Sequence, residues 1–523
     1  MGESDDAGLV SSATIHPRLD RRRALVMLGL GAASRRALFP AHAAQNRRPN
    51  VVLIVTDDLN ASLLAEMPNI SVLLGQEGTT FANFFVTDPS CGPSRASILR
   101  GQYVHNHGML SNGDTTGGFS RFHDLGREAS TIATWLHDAG YRTGLFGKYL
   151  NGYPTGVDET HVPPGWDEWF GLISTQYLRY KVNHNGQVSR AGTAAEDYQT
   201  DVISRQARAF ITQSAAAGQP FFAYIAPKAP HDPADPAPRH ADAFPAAQAP
   251  RSPSFNEADV SDKPAHMRAT AVLDDRLTRK IDEHYRQRLQ TMLAVDELVA
   301  DLIETLRETQ TLDDTIIFFT ADNGYFSGEH RVPVGKGLPY DESLRVPLLV
   351  RGPGIASGRV EDRLANNADL APTIADLVGV SPPAFVDGRS LAPLLRGEAP
   401  AVWRHLTLVE DIAKLYSVDE DSTPVSAARQ TNGDEEDERS DGPGAIPAYR
   451  ALRAVDWLYV EYATGERELY DVGNDPYQME NLADTVDPGV MNALADRLHA
   501  MAECAGDECR TIEDEPLELP GVG

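Results

Sequence analysis

Basic residues are scarce in this sequence. The 523 residues include 47 Lys and Arg against 75 Asp and Glu, a formal net charge of −28. Sequence-independent DNA binding depends on Lys and Arg neutralising phosphates, so this charge balance argues against it. Adsorption to anionic membranes is disfavoured for the same reason. Part of the acidic excess sits in one run, DEEDERSDG at 434–442, which reads as a solvated loop. Long apolar runs are also missing: beyond the N-terminal region none approaches the ~20 residues of a membrane-spanning helix. No internal repeat is present, which argues against a solenoid. Cysteine is nearly absent, with three in the whole chain. Cys504 and Cys509, in CAGDEC, are close enough to pair in a small loop, leaving Cys91 as the odd one out.

What is present is ordinary for a large globular chain: 41% hydrophobic and 23% charged residues, enough for a sizeable core in two domains. The N-terminus is distinctive. Arg21, Arg22 and Arg23 precede an apolar run at 24–33, and the small residues AHA at 41–43 offer a cleavage site. This resembles a twin-arginine export signal over residues 1–44, although Arg35 and Arg36 interrupt it. Export would permit disulfides.

Short, continuous apolar runs recur at 50–56 (NVVLIVT), 141–147 (YRTGLFG), 220–226 (PFFAYIA), 315–320 (TIIFFT) and 346–352 (VPLLVRG). Continuous rather than alternating runs are expected of parallel strands covered on both faces. Helical patterns at 129–140, 285–309 and 369–380 lie among them. The alternation predicts an α/β sandwich, a mostly parallel central sheet flanked by helices, over residues 45–400. Residues 401–523 are expected to form a smaller C-terminal α+β domain. It has an acidic loop at 417–447, strands within 448–462 and 466–472, and a helix at 488–503.

Ligands of open α/β sheets bind beyond the carboxyl ends of the strands. Asp57 and Asp58 lie just past the first strand, Asp322 and Asn323 past the 315–320 strand. Each pair alone suits an ordinary turn or cap. Together they supply three carboxylates and an amide oxygen, a set suited to a hard cation, Ca²⁺ or Mg²⁺. Zinc is disfavoured because no Cys/His pair at ligand spacing accompanies them. Arg95, Lys148, His231 and Lys336 are expected to surround such a site as cationic or ionisable groups, Lys148 and His231 following strands of their own. An oxyanion bridged to a divalent cation fits both sets of charges.

The segment CGPSR at 91–95, followed by ASILRGQYVHNHG, resembles the Cys-x-Pro-Ser-Arg signature of the sulfatase family, in the alkaline-phosphatase-like superfold. VLIVTDDLN, GYRTGLFGKYLNGY, APHDP, TADNGYFSGEH and GKGLPYDESLRVPLLVRGPG follow the family order, and the likeness spans roughly residues 48–510. The resemblance implies a sulfuric ester hydrolase. In such enzymes a separate formylglycine-generating enzyme oxidises the signature cysteine, here Cys91, to Cα-formylglycine before folding. Its hydrated aldehyde attacks sulfur with one hydroxyl and uses the other to expel sulfate, a form of covalent catalysis. By the same resemblance Asp57, Asp58, Asp322 and Asn323 hold one Ca²⁺ that also touches residue 91. Arg95 holds the surroundings of residue 91 in place. Lys148 and Lys336 neutralise the sulfate, and His231 meets the ester oxygen or serves as general acid.

One position departs from the family. Many sulfatases carry a histidine two residues after the lysine of the GK segment, as base on the diol; here that residue is Leu150. GKYLN, GQYVHNHG, LLVRGPGI and CAGDECR instead resemble the glucosamine-6-sulfatase branch, implying a sulfated sugar such as 6-O-sulfated N-acetylglucosamine, with aryl sulfates as surrogates. His105, His107 and His330 remain alternatives for the base. Two rival readings are a phosphate or phosphonate monoester hydrolase of the same fold and a non-catalytic binder of sulfated glycans.

Overall fold

The computed structural model describes residues 48–113, 116–416, 446–517 and 519. The export-signal reading and most of the acidic loop, 417–445, lie outside the described residues. Ten strands form the main sheet: β1 Asn50–Thr56, β2 Thr79–Phe81, β3 Arg142–Gly147, β4 Glu168–Leu172, β5 Lys181–His184, β6 Gln187–Arg190, β7 Phe221–Ala226, β8 Thr315–Ala321, β9 Leu348–Arg351 and β10 Arg359–Glu361. Their order is β10-β2-β9-β8-β1-β7-β3-β4-β5-β6. The five central strands, β8-β1-β7-β3-β4, are parallel. All seven residues of β1, all six of β7 and all seven of β8 are buried, which explains their unbroken apolar character.

The helices are α1 Cys91–Arg100, α2 Gly118–Asp124, α3 Ile132–Asp138, α4 Gln199–Ala217, α5 Asp275–Glu308, α6 Leu370–Leu377, α7 Pro488–Glu503 and α8 Asp507–Asp514, with shorter turns between them. α4 packs on α5, β3 and β7, while α6 packs on α1 and α3. α5 begins ten residues before the expected start at 285, capped by Asp274, whose side chain accepts a hydrogen bond from Leu277 N at 2.7 Å.

One expectation is corrected. The run at 346–352 is a strand, but β9 lies antiparallel to both neighbours, β8 and β2. A parallel partner needs a crossover back across the sheet. Here the chain leaves β8, loops over the carboxyl ends of the strands and returns directly. Continuous apolarity reports burial on both faces, not direction.

The C-terminal sheet comprises β11 Thr407–Asp411, β12 Tyr449–Arg453, β13 Trp457–Tyr462 and β14 Arg467–Asp471, antiparallel and in sequence order. Period-two alternation gives it two apolar faces. Leu408, Leu452, Tyr459 and Leu469 pack with Leu494, Leu498 and Met501 of α7. Val409, Ala451, Val460 and Tyr470 join the main core. Cys504 and Cys509 form a disulfide between α7 and α8, and Cys91 is free and buried.

Candidate active site

Four adjacent parallel strands, β8, β1, β7 and β3, end along one edge of the sheet, and their registers align the tips. Thr56 pairs with Ala321, and Gly147 with Ala226. The residues that follow therefore gather within about 14 Å, three strand spacings: Asp322 and Asn323, Asp57 and Asp58, His231, and Lys148. Gly147 makes the last of these placements. At its φ of +122° a Cβ would stand 2.0 Å from the Ala226 carbonyl oxygen, so the close approach of β3 to β7 before Lys148 requires glycine.

Cys91 is the first residue of α1, a helix whose ten residues are all buried. Its Sγ faces Asp57 Oδ1 at 3.3 Å and Asp58 Oδ1 at 3.9 Å. Lys336, from the loop between β8 and β9, bridges the sulfur and the carboxylate. Its Nζ lies 2.6 Å from Sγ and donates to Asp58 Oδ1. Lys148 Nζ donates to Asp57 Oδ2 at 2.7 Å. One turn along α1, Arg95 is fully buried, its Nε donating to Asp322 Oδ2 at 2.8 Å and its Nη1 to the Lys148 carbonyl at 3.2 Å. His231 Nδ1 lies 3.0 Å from the Asp232 carbonyl, which leaves Nε2 facing Asp58 Oδ2 at 3.7 Å. All nine residues named from the sequence for catalysis or metal binding thus converge on one edge of the sheet.

The charges there are finely set. Asp57, Asp58 and Asp322 face Arg95, Lys148 and Lys336, three against three. Burial raises the Asp57 carboxyl, but Lys148, His231, Arg95 and Lys336 together hold it well below the ordinary carboxylate range. Burial and the neighbouring Asp57 charge instead push Asp322 up to about 6. Burial opposes the charge on both lysines, yet the carboxylates outweigh it and keep both protonated. Burial and Asp57 drive the Cys91 thiol far above its usual value, so the unmodified side chain is a protonated, poor nucleophile.

A family model described as Sulfatase matches residues 49–380. The human N-acetylglucosamine-6-sulfatase is 35% identical over 481 residues, which cover 90% of this chain and 87% of that protein. The chain belongs to the sulfatase family. It is a sulfuric ester hydrolase. An extracellular sulfatase, the SULF-1 homolog of Drosophila melanogaster, is 38% identical over 71% of this chain and 34% of its own length. Among solved structures, a protein in complex with its substrate D-glucosamine-2-N,6-O-disulfate has the same fold. Its TM-score is 0.71 at 23% identity, covering 90% of this chain and all of that one. A phosphonate monoester hydrolase from Silicibacter pomeroyi has a TM-score of 0.65 at 28% identity, covering 87% and 94%.

The donor set of this sulfatase fits a hard cation. Asn323 Oδ1 is buried with no hydrogen-bond partner, while its Nδ2 donates to Asp58 Oδ1 at 2.6 Å. A buried acceptor left open among carboxylates is the environment an oxygen-seeking cation completes. The histidine position absent from the sequence is filled by apolar packing, for Leu150 is buried in the main core. None of the three alternative histidines bonds to the cluster. His105 pairs with Glu410 at 2.6 Å, His107 with Ser97 at 3.1 Å and His330 with Glu257 at 2.7 Å.

Two contributors escaped the sequence reading. Ser94 Oγ donates to the Asp322 carbonyl and accepts from Asn367 Nδ2 at 2.8 Å, tying α1 to the end of β8. Arg288 of α5 is fully buried, donates from Nη2 to the Asp58 carbonyl and lies 3.9 Å over the Tyr325 ring. It thereby supports Asp58 in its left-handed conformation, φ +64°. The missed signal was an arginine on the apolar stripe Ile281, Tyr285, Leu289, Met292, where a solvated charge is out of place.

Proposed function

We propose that this sulfatase hydrolyses the sulfate monoester of a sugar, a 6-O-sulfated N-acetylglucosamine unit, with Cys91 converted to formylglycine and one Ca²⁺ at the carboxylate cluster. The carrying observation is the convergence on residue 91 of Asp57, Asp58, Lys336 and the open Asn323 Oδ1. Lys336 Nζ lies beside the Cys91 side chain, placing a positive charge next to the group that would become the nucleophile. Sugar 6-sulfate as substrate rests on the likeness to N-acetylglucosamine-6-sulfatases. Export rests on the leader at 1–44 together with extracellular relatives. Among the described residues no helix is long and apolar enough to cross a membrane.

Once converted and hydrated, residue 91 would supply a nucleophilic hydroxyl and a second hydroxyl for release of sulfate. Asp57, Asp58, Asp322 and Asn323 would hold the calcium ion, which would supply positive charge for an anionic ester. The remaining work belongs to side chains of the chain. Lys148 and Lys336 stay protonated beside their carboxylates and neutralise the anionic ester. Arg95 fixes Asp322 and the Lys148 main chain, so two strand tips keep their spacing. His231, with Nδ1 committed to the Asp232 carbonyl, presents Nε2 to the leaving oxygen and passes its proton there. The donor is the doubly protonated ring, which burial opposes more than Asp58 and Asp57 favour it, so it gives up its Nε2 proton more readily than a free imidazolium.

Peptide mass spectrometry across residue 91, on active protein from its native host, tests the nucleophile. The aldehyde or its hydrate is expected, and an unmodified thiol throughout an active sample rules the mechanism out. Turnover of N-acetylglucosamine 6-sulfate beside aryl sulfate, phosphate and phosphonate esters tests the substrate. A sugar 6-sulfate preference is expected, and faster phosphonate or phosphate turnover would displace it.

A further inference from the structure

Outside the catalytic edge, one further group of side chains among the described residues has the spacing of a metal site: His123, Glu128 and His161, with ligand atoms within 4.8 Å of one another. His123 closes α2, Glu128 lies in the following turn, and His161 belongs to the loop that runs on from Lys148 towards β4. His123 Nδ1 lies 2.5 Å from Glu128 Oε2, and His161 Nε2 lies 3.3 Å from the same oxygen. The Glu128 side chain is only 6% exposed, whereas the imidazoles are 37% and 24% exposed, so an acidic centre is open to solvent through two nitrogen ligands. The buried Phe119 ring flanks both imidazoles at 5.7 and 5.8 Å, and the two rings meet edge to face at 5.3 Å.

We propose that His123 Nδ1, Glu128 and His161 Nε2 bind a zinc-class divalent cation, which clamps the loop after Lys148 to α2. Bonds of 2.0–2.1 Å at tetrahedral angles set neighbouring ligand atoms about 3.3 Å apart. The Glu128–His161 spacing already has that value. The Glu128–His123 spacing opens by about 0.8 Å, a small rotation of a partly exposed ring. Two imidazoles and one carboxylate select zinc, nickel or copper over calcium, and three protein ligands leave a fourth position for water. The loop is already fastened elsewhere. Phe119 N donates to the Asn151 carbonyl at 2.7 Å, and Asn183 Nδ2 donates to the His161 carbonyl at 2.9 Å. A cation would close the outer side of this segment without entering the catalytic cluster.

The test is equilibrium dialysis of the full-length, disulfide-intact protein against zinc chloride, with bound metal counted by mass spectrometry. Wild type is compared with His123→Gln/His161→Gln and with Glu128→Gln. Zinc taken up at the catalytic carboxylates is common to all three and cancels. The double variant should bind one equivalent less than wild type and lose any zinc-dependent rise in thermal midpoint. Equal zinc in wild type and variants overturns the proposal. If the double variant does not fold, His123→Gln alone, at the more exposed ring, should weaken the site at least tenfold. An unchanged affinity in that variant overturns the proposal equally.

Discussion

A thiol buried beside a carboxylate stays protonated, and Cys91 is held that way by burial and by Asp57. The residue therefore has little use as a cysteine. Cys91→Ala should bring turnover below detection while costing only about 1 kcal/mol of stability, because one small buried atom is lost. Kinetics and thermal unfolding on the same preparation check this, and residual turnover would contradict the assigned nucleophile. A second residue-scale prediction concerns His105, away from the site. Burial pulls its pKa down, but Glu410 and the Cys504 carbonyl outweigh this and raise it to about 9, while Glu410 is lowered. A raised folded-state pKa stabilises fully below the unfolded value of 6.5, and the gain fades as pH climbs through 9. Lowering of Glu410 adds stability above its unfolded value of 4.5 that is lost as pH falls. His105→Gln should therefore destabilise more near pH 6 than near pH 10, as denaturant unfolding at the two values would reveal. Equal losses would show that the ion pair carries no net stability.

The working unit at the next scale is the strand tip. β8, β1, β7 and β3 each end in one or two of the residues proposed for the site, and their shared register brings four separate sequence motifs together. Gly147→Ala tests this arrangement. The new Cβ would meet the Ala226 carbonyl at 2.0 Å in a backbone conformation unfavourable to alanine. A loss of about 3 kcal/mol is expected, with reduced turnover because Lys148 follows immediately. Thermal unfolding and kinetics check it, and wild-type values for both would show that the strand end yields without cost. The strands themselves were legible because burial on both faces leaves unbroken apolar runs. Direction was not legible, and β9 turned out antiparallel because its connection lacks a crossover. The start of α5 was hidden because its first six residues, DRLTRK, are largely exposed and show no apolar periodicity. Arg288 was hidden for the opposite reason, as one charged residue on an otherwise apolar stripe.

Across the whole molecule the charge is strongly negative, yet the catalytic edge concentrates Arg95, Lys148 and Lys336. Three carboxylates balance them, so a divalent cation would make the edge net positive and ready for an anionic ester. Calcium chelation should lower both activity and the thermal midpoint, the latter by a few degrees, because a ligand bound only by the native state adds about 2.7 kcal/mol at a hundredfold excess over Kd. Differential scanning with and without calcium measures it, and an unchanged midpoint would remove calcium from the proposed site. The sequence alone determined the α/β class and the family, and it named nine of the residues now found along this edge, though not Ser94 or Arg288. Each depends on local composition: apolar runs for buried strands, and short motifs set just beyond them. Only the tertiary structure decided which strand tips are neighbours, how three carboxylates share three cations, and that Leu150 faces the core. It also decided that His123, Glu128 and His161 meet. Those outcomes depend on sheet order and register, which join residues far apart in the chain, as in the bond from Asn323 to Asp58, 265 positions away. No local pattern encodes such distances, because they are set by how the strands pair.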